Sequence, residues 1–254
     1  MDYYSLYFPF VVLFGLLIGS FMNVVAIRSL KNESVAFPPS HCVHCNNSLK
    51  PLDLIPLLSY LFLRGKCRYC SASISWVYPA GEAAIAALFI LIYWQLGWTP
   101  ELFTGFLLAA ILTAIVITDL KSMLIPDKIV FAGMILAVVL RLWIHPLPLW
   151  DYAIAFFTGS GLLWIMAILS KGGMGGGDIK LFAFLGLVLG MKLTLLTLFV
   201  ASLLGTLYGI VLFALHRLQK KHSVPFGPFI AIAAMLMYLW GNQVIDWYME
   251  WMMG

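Results

Sequence analysis

The sequence predicts an all-α polytopic membrane protein, with about eight transmembrane helices and one cytosolic zinc-binding insert. Three observations lead there. Hydrophobic residues form 63% of the 254-residue chain and charged residues only 10%, against about 25% charged in a soluble domain. Apolar runs close to the roughly 20 residues a membrane helix needs recur along the chain. All four cysteines fall in a single polar stretch between the first two of those runs. Eighteen Phe, eleven Tyr and nine Trp exclude a disordered chain. The formal charge of +4 is too sparse for a nucleic-acid surface, so lipid rather than nucleic acid is the expected surrounding.

The spans are expected at residues 6–27, 80–98, 102–118, 129–144, 152–169, 179–191, 193–215 and 225–240. The sixth is too short to cross a full-thickness bilayer upright. The first reads as a membrane helix rather than a cleaved leader, because no basic stretch precedes its apolar run. The chain thus divides into a first transmembrane helix (1–28), an insert (29–79) and a seven-helix membrane region (80–254).

Charge sets the orientation. With both termini outside, the inside segments hold thirteen of the fifteen basic residues, and only Arg141 and Lys192 lie outside. That asymmetry follows the positive-inside rule and puts the insert in the cytosol.

Within the insert, Cys42-Val43-His44-Cys45 and Cys67-Arg68-Tyr69-Cys70 form two CxxC knuckles. Each knuckle curls two thiolates toward one point, and two knuckles complete the tetrahedron that zinc prefers. A reducing cytosol argues against disulfides. A site closed by four thiolates serves folding rather than catalysis, so structural zinc is the expectation. His41 and His44 read as loop residues.

Acids near a membrane core need a reason. Asp119 closes the third span, where a carboxylate opposes the helix dipole. Asp178 opens the sixth, after Gly172-Gly173-Met174-Gly175-Gly176-Gly177. An N-cap explains an Asp there but not five glycines, which suit close approach of a substrate backbone. The third span runs inward and the sixth outward, so both carboxylates are expected at the cytosolic boundary. Two carboxylates around one water make the aspartic-protease arrangement. Like charges that close cannot both ionise, and one proton is shared. Asp127 reads as the N-cap of the fourth span, and Glu82 as a first-turn acid of the second that could also meet a substrate amine.

Several ordered motifs carry a family resemblance. Gly19-Ser20-Phe21-Met22-Asn23-Val24-Val25 comes first, then the cysteine insert with Ile55-Pro56-Leu57-Leu58-Ser59-Tyr60 and Arg64-Gly65-Lys66-Cys67. Tyr78-Pro79 and Glu82, Asp119 through Ile125-Pro126-Asp127, Gly175-Gly176-Gly177-Asp178 and Pro225-Phe226-Gly227-Pro228 follow. The chain resembles the type IV prepilin peptidases, bifunctional leader peptidases and N-methyltransferases of type IV pilus, type II secretion and competence systems. The resemblance implies that residues 80–254 are an aspartyl peptidase domain with Asp119 and Asp178 as its catalytic pair. It implies a prepilin or pseudopilin substrate, cut behind a short basic leader on the cytosolic face of a bacterial cytoplasmic membrane. The new N-terminus is then methylated from S-adenosylmethionine. Gly65 matches the motif nearest that second activity, while Glu82, Asp127, Gly175, Gly176 and Gly177 are implied as substrate-binding or supporting residues. Asp53-Leu54 stands where the family often has an acid and an Asn.

Other readings share parts of this pattern. A peptidase without methyl transfer, or another GxGD intramembrane protease, would keep the paired acids. Transporters place their acids nearer the midplane and often in repeated halves.

Overall fold

A computed structural model describes residues 3–170, 175–215 and 224–253. Lys171, Gly172, Gly173 and Met174, and the basic Arg217, Lys220 and Lys221, lie outside the described residues. Among the described residues every regular element is helical, and the only strand pairing is two isolated bridges. The helices are α1 (Tyr3–Leu30), the short α2 (Leu58–Phe62), α3 (Val77–Leu96), α4 (Glu101–Ser122), α5 (Asp127–Trp143), α6 (Leu149–Leu169), α7 (Gly176–Leu189), α8 (Met191–Ala214) and α9 (Gly227–Met253). Each expected span therefore coincides with a helix. Six of them, α1, α3, α4, α6, α8 and α9, are long and apolar enough to cross a membrane. This is a polytopic membrane protein.

Two compact units divide the chain, the first ending at Thr118 and the second starting at Asp119. In the first, α1 lies antiparallel to α3. Gly15 and Gly19 stand four residues apart on α1, and a Cβ on either would meet the α3 backbone at Ala86 or Glu82, 2.8 and 2.7 Å away. Small residues at that spacing let membrane helices approach closely without a hydrophobic driving force. Nearer the insert, Asn23 donates from Nδ2 to the Tyr78 carbonyl at 2.8 Å. Phe89 stacks on Phe106 at 3.9 Å deeper in the unit.

The second unit is built around α7. Leu181, Phe182, Ala183, Phe184, Leu185, Gly186, Val188 and Leu189 are all buried. Burial on every side marks a central helix. At one end, the starts of α5 and α7 meet, with Gly177 against Ile125 and Lys180 bound to Asp127. At the other, Arg141 at the close of α5 donates to the Val188 carbonyl, and its guanidinium lies 4.7 Å over the Tyr152 ring. Asp151 on α6 accepts the N–H of Met191 at 2.8 Å, capping α8. So α5 and α7 run one way and α6, packed on α7, runs the other. Arg141, counted on the outside in the charge reading, is buried near the end of α5.

Several boundary expectations need correction. α3 begins at Val77, so Glu82 sits in its second turn rather than its first, and the dipole argument for it fails. Asp127 does not cap α5: Pro126 holds the N-cap position, and no side chain caps there. α7 starts earlier than the expected 179, with Gly175 at the N-cap and Asp178 in the first turn. α9 continues to Met253, well past the expected end near residue 240.

Candidate active site and metal centre

The insert folds around its cysteines. In the first knuckle, Cys42 N–H donates to Asn47 O and Asn46 N–H to Cys42 O; in the second, Cys67 N–H donates to Ala72 O and Ser71 N–H to Cys67 O. Asn46 and Ser71 both take positive φ, 55° and 60°. The bridge His41↔Ser48 has its counterpart in Lys66↔Ser73. One local geometry is thus used twice, and it turns both pairs of thiols to a common point. None of the four is in a disulfide. Their sulfurs all lie within 4.8 Å of one another, with Cys42 Sγ 3.8 Å from Cys70 Sγ. Four thiolates about 2.3 Å from one ion would sit about 3.8 Å apart at the corners of a tetrahedron. The set fits a metal ion.

The N–H groups of Cys45 and then His44 hold the Cys42 thiol down to about 6. For Cys70 the Ala72 N–H pulls down, but burial and the thiols of Cys45, Cys67 and Cys42 outweigh it and push the group up to about 11. Asp53 ties the second knuckle to the segment before it. Its carboxylate accepts from Arg68 Nε at 2.6 Å, the Lys50 N–H at 3.1 Å and the Tyr69 hydroxyl at 3.3 Å. Burial opposes its charge, yet Arg68 and Lys50 prevail and hold it below the usual carboxylate value.

Gly65 has a folding role in this structure. Its φ is +69°, and a Cβ would stand 3.0 Å from the Tyr60 ring. Its carbonyl accepts from Ile74 N–H at 2.7 Å, closing the second knuckle. A side chain in place of Gly65 would run into the Tyr60 ring. Glu82 is buried, and its Oε2 accepts the N–H of Leu57 at 2.8 Å. It fastens the insert to α3, with Ser20 of α1 as a further partner.

In the second unit, Asp119 lies three residues before the end of α4 and is 6% exposed. Its Oδ2 accepts the backbone N–H of Gly227 at 2.8 Å. A Cβ on Gly227 would stand 2.7 Å from that oxygen. Asp178 is in the first turn of α7, with the Gly175 N–H directed at its carboxylate. Asp119 lies within electrostatic reach of Asp178. The structure thus brings the two acids to the same end of the unit. The glycines between them do different jobs. Gly177 is required by packing, since a Cβ would lie 2.7 Å from Ile125 Cβ. Among the described residues nothing lies within 4 Å of a Cβ on Gly176, and Gly175 has only ordinary contact with Asp178. Among them, Gly176 rather than Gly177 leaves room for an approaching backbone. Asp127 pairs with Lys180 Nζ at 2.6 Å.

Two relationships were not read from the sequence: Gly227 as donor to Asp119, and Lys180 as partner of Asp127. A glycine between Phe226 and Pro228 at the start of the last helix was the available signal for the first. The second had none, because the partners are 53 positions apart.

Paired acids at one end of a helical membrane unit, in a chain whose insert folds on four cysteines, define a class of membrane-embedded aspartyl enzyme. A model described as type IV leader peptidase family matches residues 106–210, and one described as bacterial peptidase A24 N-terminal domain matches residues 13–96. The chain belongs to the type IV leader peptidase family. It is 38% identical to the prepilin leader peptidase/N-methyltransferase of Bacillus subtilis (strain 168), covering 95% of this chain and 98% of that protein. The protein of the same name from Aeromonas salmonicida (strain A449) is 35% identical, covering 96% of this chain and 94% of that protein. That from Pseudomonas aeruginosa is 32% identical, covering 94% and 92%. No solved structure matches.

Proposed function

We propose that this chain is a membrane aspartic peptidase that removes the short basic leader of type IV prepilins or pseudopilins and N-methylates the residue exposed by the cut. The observation that carries this reading is the meeting of Asp119 and Asp178 at one end of the second unit, close enough for the charge of one to act on the other. A water between them can be activated by the ionised partner as it attacks the scissile carbonyl. The protonated partner supports the developing oxyanion and then gives its proton to the leaving amine. Asp119, with Oδ2 already fixed by the Gly227 N–H, takes the part of the base. Gly176 leaves space for the substrate backbone, Gly175 and Gly177 place Asp178, and Glu82 holds the insert.

The methyl donor that the family implies is S-adenosylmethionine. The cysteine site holds zinc, through Cys42, Cys45, Cys67 and Cys70, and zinc there supplies folding energy to an insert with little core of its own. We place all eight long helices across the bacterial inner membrane, with the termini outside and the insert and acids at the cytosolic face. The distribution of Lys and Arg supports that orientation. The alternation of α5, α6 and α7 supports counting all three. α7 would be only about 21 Å long at 1.5 Å per residue. A helix enclosed by protein on every side has no lipid thickness to match.

The test is to incubate the purified protein with a prepilin, with and without S-adenosylmethionine, and weigh the products. Loss of the leader, followed by gain of one methyl group only with the donor present, is the expected result. An intact prepilin would overturn the reading, and cleavage without methylation would reduce it to a peptidase.

A further inference from the structure

The geometry points to Asp127 as a docking residue for a basic side chain of the leader, held in reserve by Lys180. This inference rests on the proposed leader-peptidase function. Asp127 opens α5 and Lys180 lies in the first turns of α7, two positions after Asp178. Their 2.6 Å contact is short and charge-assisted. Both side chains nevertheless remain in reach of solvent, 41% exposed for Lys180 and 55% for Asp127. Exposed pairs of this kind contribute little net stability, because each ion keeps most of its hydration. An incoming ammonium or guanidinium can therefore replace the Lys180 ammonium on the same carboxylate at little cost.

The position suits that exchange. Ile125, two residues before Asp127, packs on Gly177, immediately before Asp178. The carboxylate thus flanks the place where the chain would be cut. Lys180 would not be left bare when displaced, since its Nζ also lies 6.0 Å over the Phe131 ring. A cation over an aromatic face is a second, weaker resting place. The chain's own lysine acts as a stand-in for the substrate's basic residue, and a neutral leader gains nothing by displacing it.

A plain structural bridge and a competing latch make opposite demands on the two residues. The experiment measures KM and kcat for cleavage by the full-length protein in proteoliposomes. The substrates are a prepilin with its basic leader and the same prepilin with those basic residues changed to Gln. Asp127→Asn should raise KM for the basic leader by about two- to fivefold, the scale of one exposed ion pair. Lys180→Gln should lower KM for that substrate, because the site is freed. The double variant Asp127→Lys, Lys180→Asp keeps a bridge but reverses the charge that faces the leader. It should raise KM for the basic leader and not for the neutral one. The inference is overturned if Lys180→Gln raises KM as Asp127→Asn does, or if Asp127→Asn affects both substrates equally. A wild-type protein that cuts both leaders with the same KM overturns it while leaving the peptidase reading intact. Wild-type protein that cuts neither overturns the proposed function itself, and this inference with it.

Discussion

Gly227 donates its backbone N–H to Oδ2 of Asp119 at 2.8 Å, and the start of α9 leaves no room for a Cβ beside that oxygen. The contact joins residues 108 positions apart in the chain. It fixes one oxygen of an acid that would otherwise be free to rotate. Gly227→Ala should therefore displace the Asp119 carboxylate without removing it. Cleavage should fall on the order of a hundredfold, the usual cost of misplacing a catalytic group by about 1 Å. Steady-state kinetics on protein of unchanged helicity by circular dichroism checks this. Turnover within a factor of two of wild type would deny Asp119 its role.

The two acids should be separable from methyl transfer. Asp119→Asn and Asp178→Asn should each lower prepilin cleavage by roughly 10²–10⁴, the share that positioned acid–base groups contribute. Asp178→Asn protein given a pre-cut, unmethylated pilin and labelled S-adenosylmethionine should still incorporate the label. Loss of methylation in parallel with cleavage would mean one fused site for both reactions.

Zinc should bind in about a 1:1 ratio, since four thiols in one tetrahedral set close the coordination sphere. Elemental analysis of the pure protein, and of each single Cys→Ser variant at Cys42, Cys45, Cys67 and Cys70, tests the set. Full metal content in all four variants would rule the site out. Peptidase activity should decline in step with unfolding of the insert, because the metal holds structure rather than substrate.

Asp53 gives the insert an acid dependence with a definite sign. Its carboxylate titrates below the ordinary 3.8 in the folded insert. Its stabilisation is therefore complete above the unfolded value and is lost as pH falls through the lower, folded one. Asp53→Asn should speed hydrogen exchange across the two knuckles at pH 7. The difference from wild type should begin to narrow as the pH falls past about 3.8 and close only below the lower, folded value. A gap that persists in acid would assign the effect to packing instead of to the charge bound by Arg68.

Gly65 tests whether a motif match reflects chemistry or folding. With φ at +69° and Tyr60 at 3.0 Å, any side chain there is strained. Gly65→Ala should reduce zinc content and methylation together. Normal zinc with lost methylation would return Gly65 to a place at the cofactor.

Hydrophobic run length located the eight long helices, six of them long and apolar enough to cross a membrane, because a bilayer selects apolar side chains whatever the neighbours are. Spacing alone grouped Cys42, Cys45, Cys67 and Cys70, since a knuckle is a local turn whose hydrogen bonds close within about ten residues. Helix direction also led to the expectation that Asp119 and Asp178 lie at one end of their helices. The places of Asp127 and Glu82 within their helices were misread. Start signals are local, whereas Pro126 holds the N-cap expected of Asp127, and Glu82, in the second turn of α3, accepts the backbone N–H of Leu57. Only the tertiary structure could show that Gly177 makes way for Ile125, that Gly227 holds Asp119, and that Lys180 occupies Asp127. Each of these depends on which helix packs beside which, and in a chain so uniformly apolar the hydrophobic pattern marks the helices without naming their neighbours.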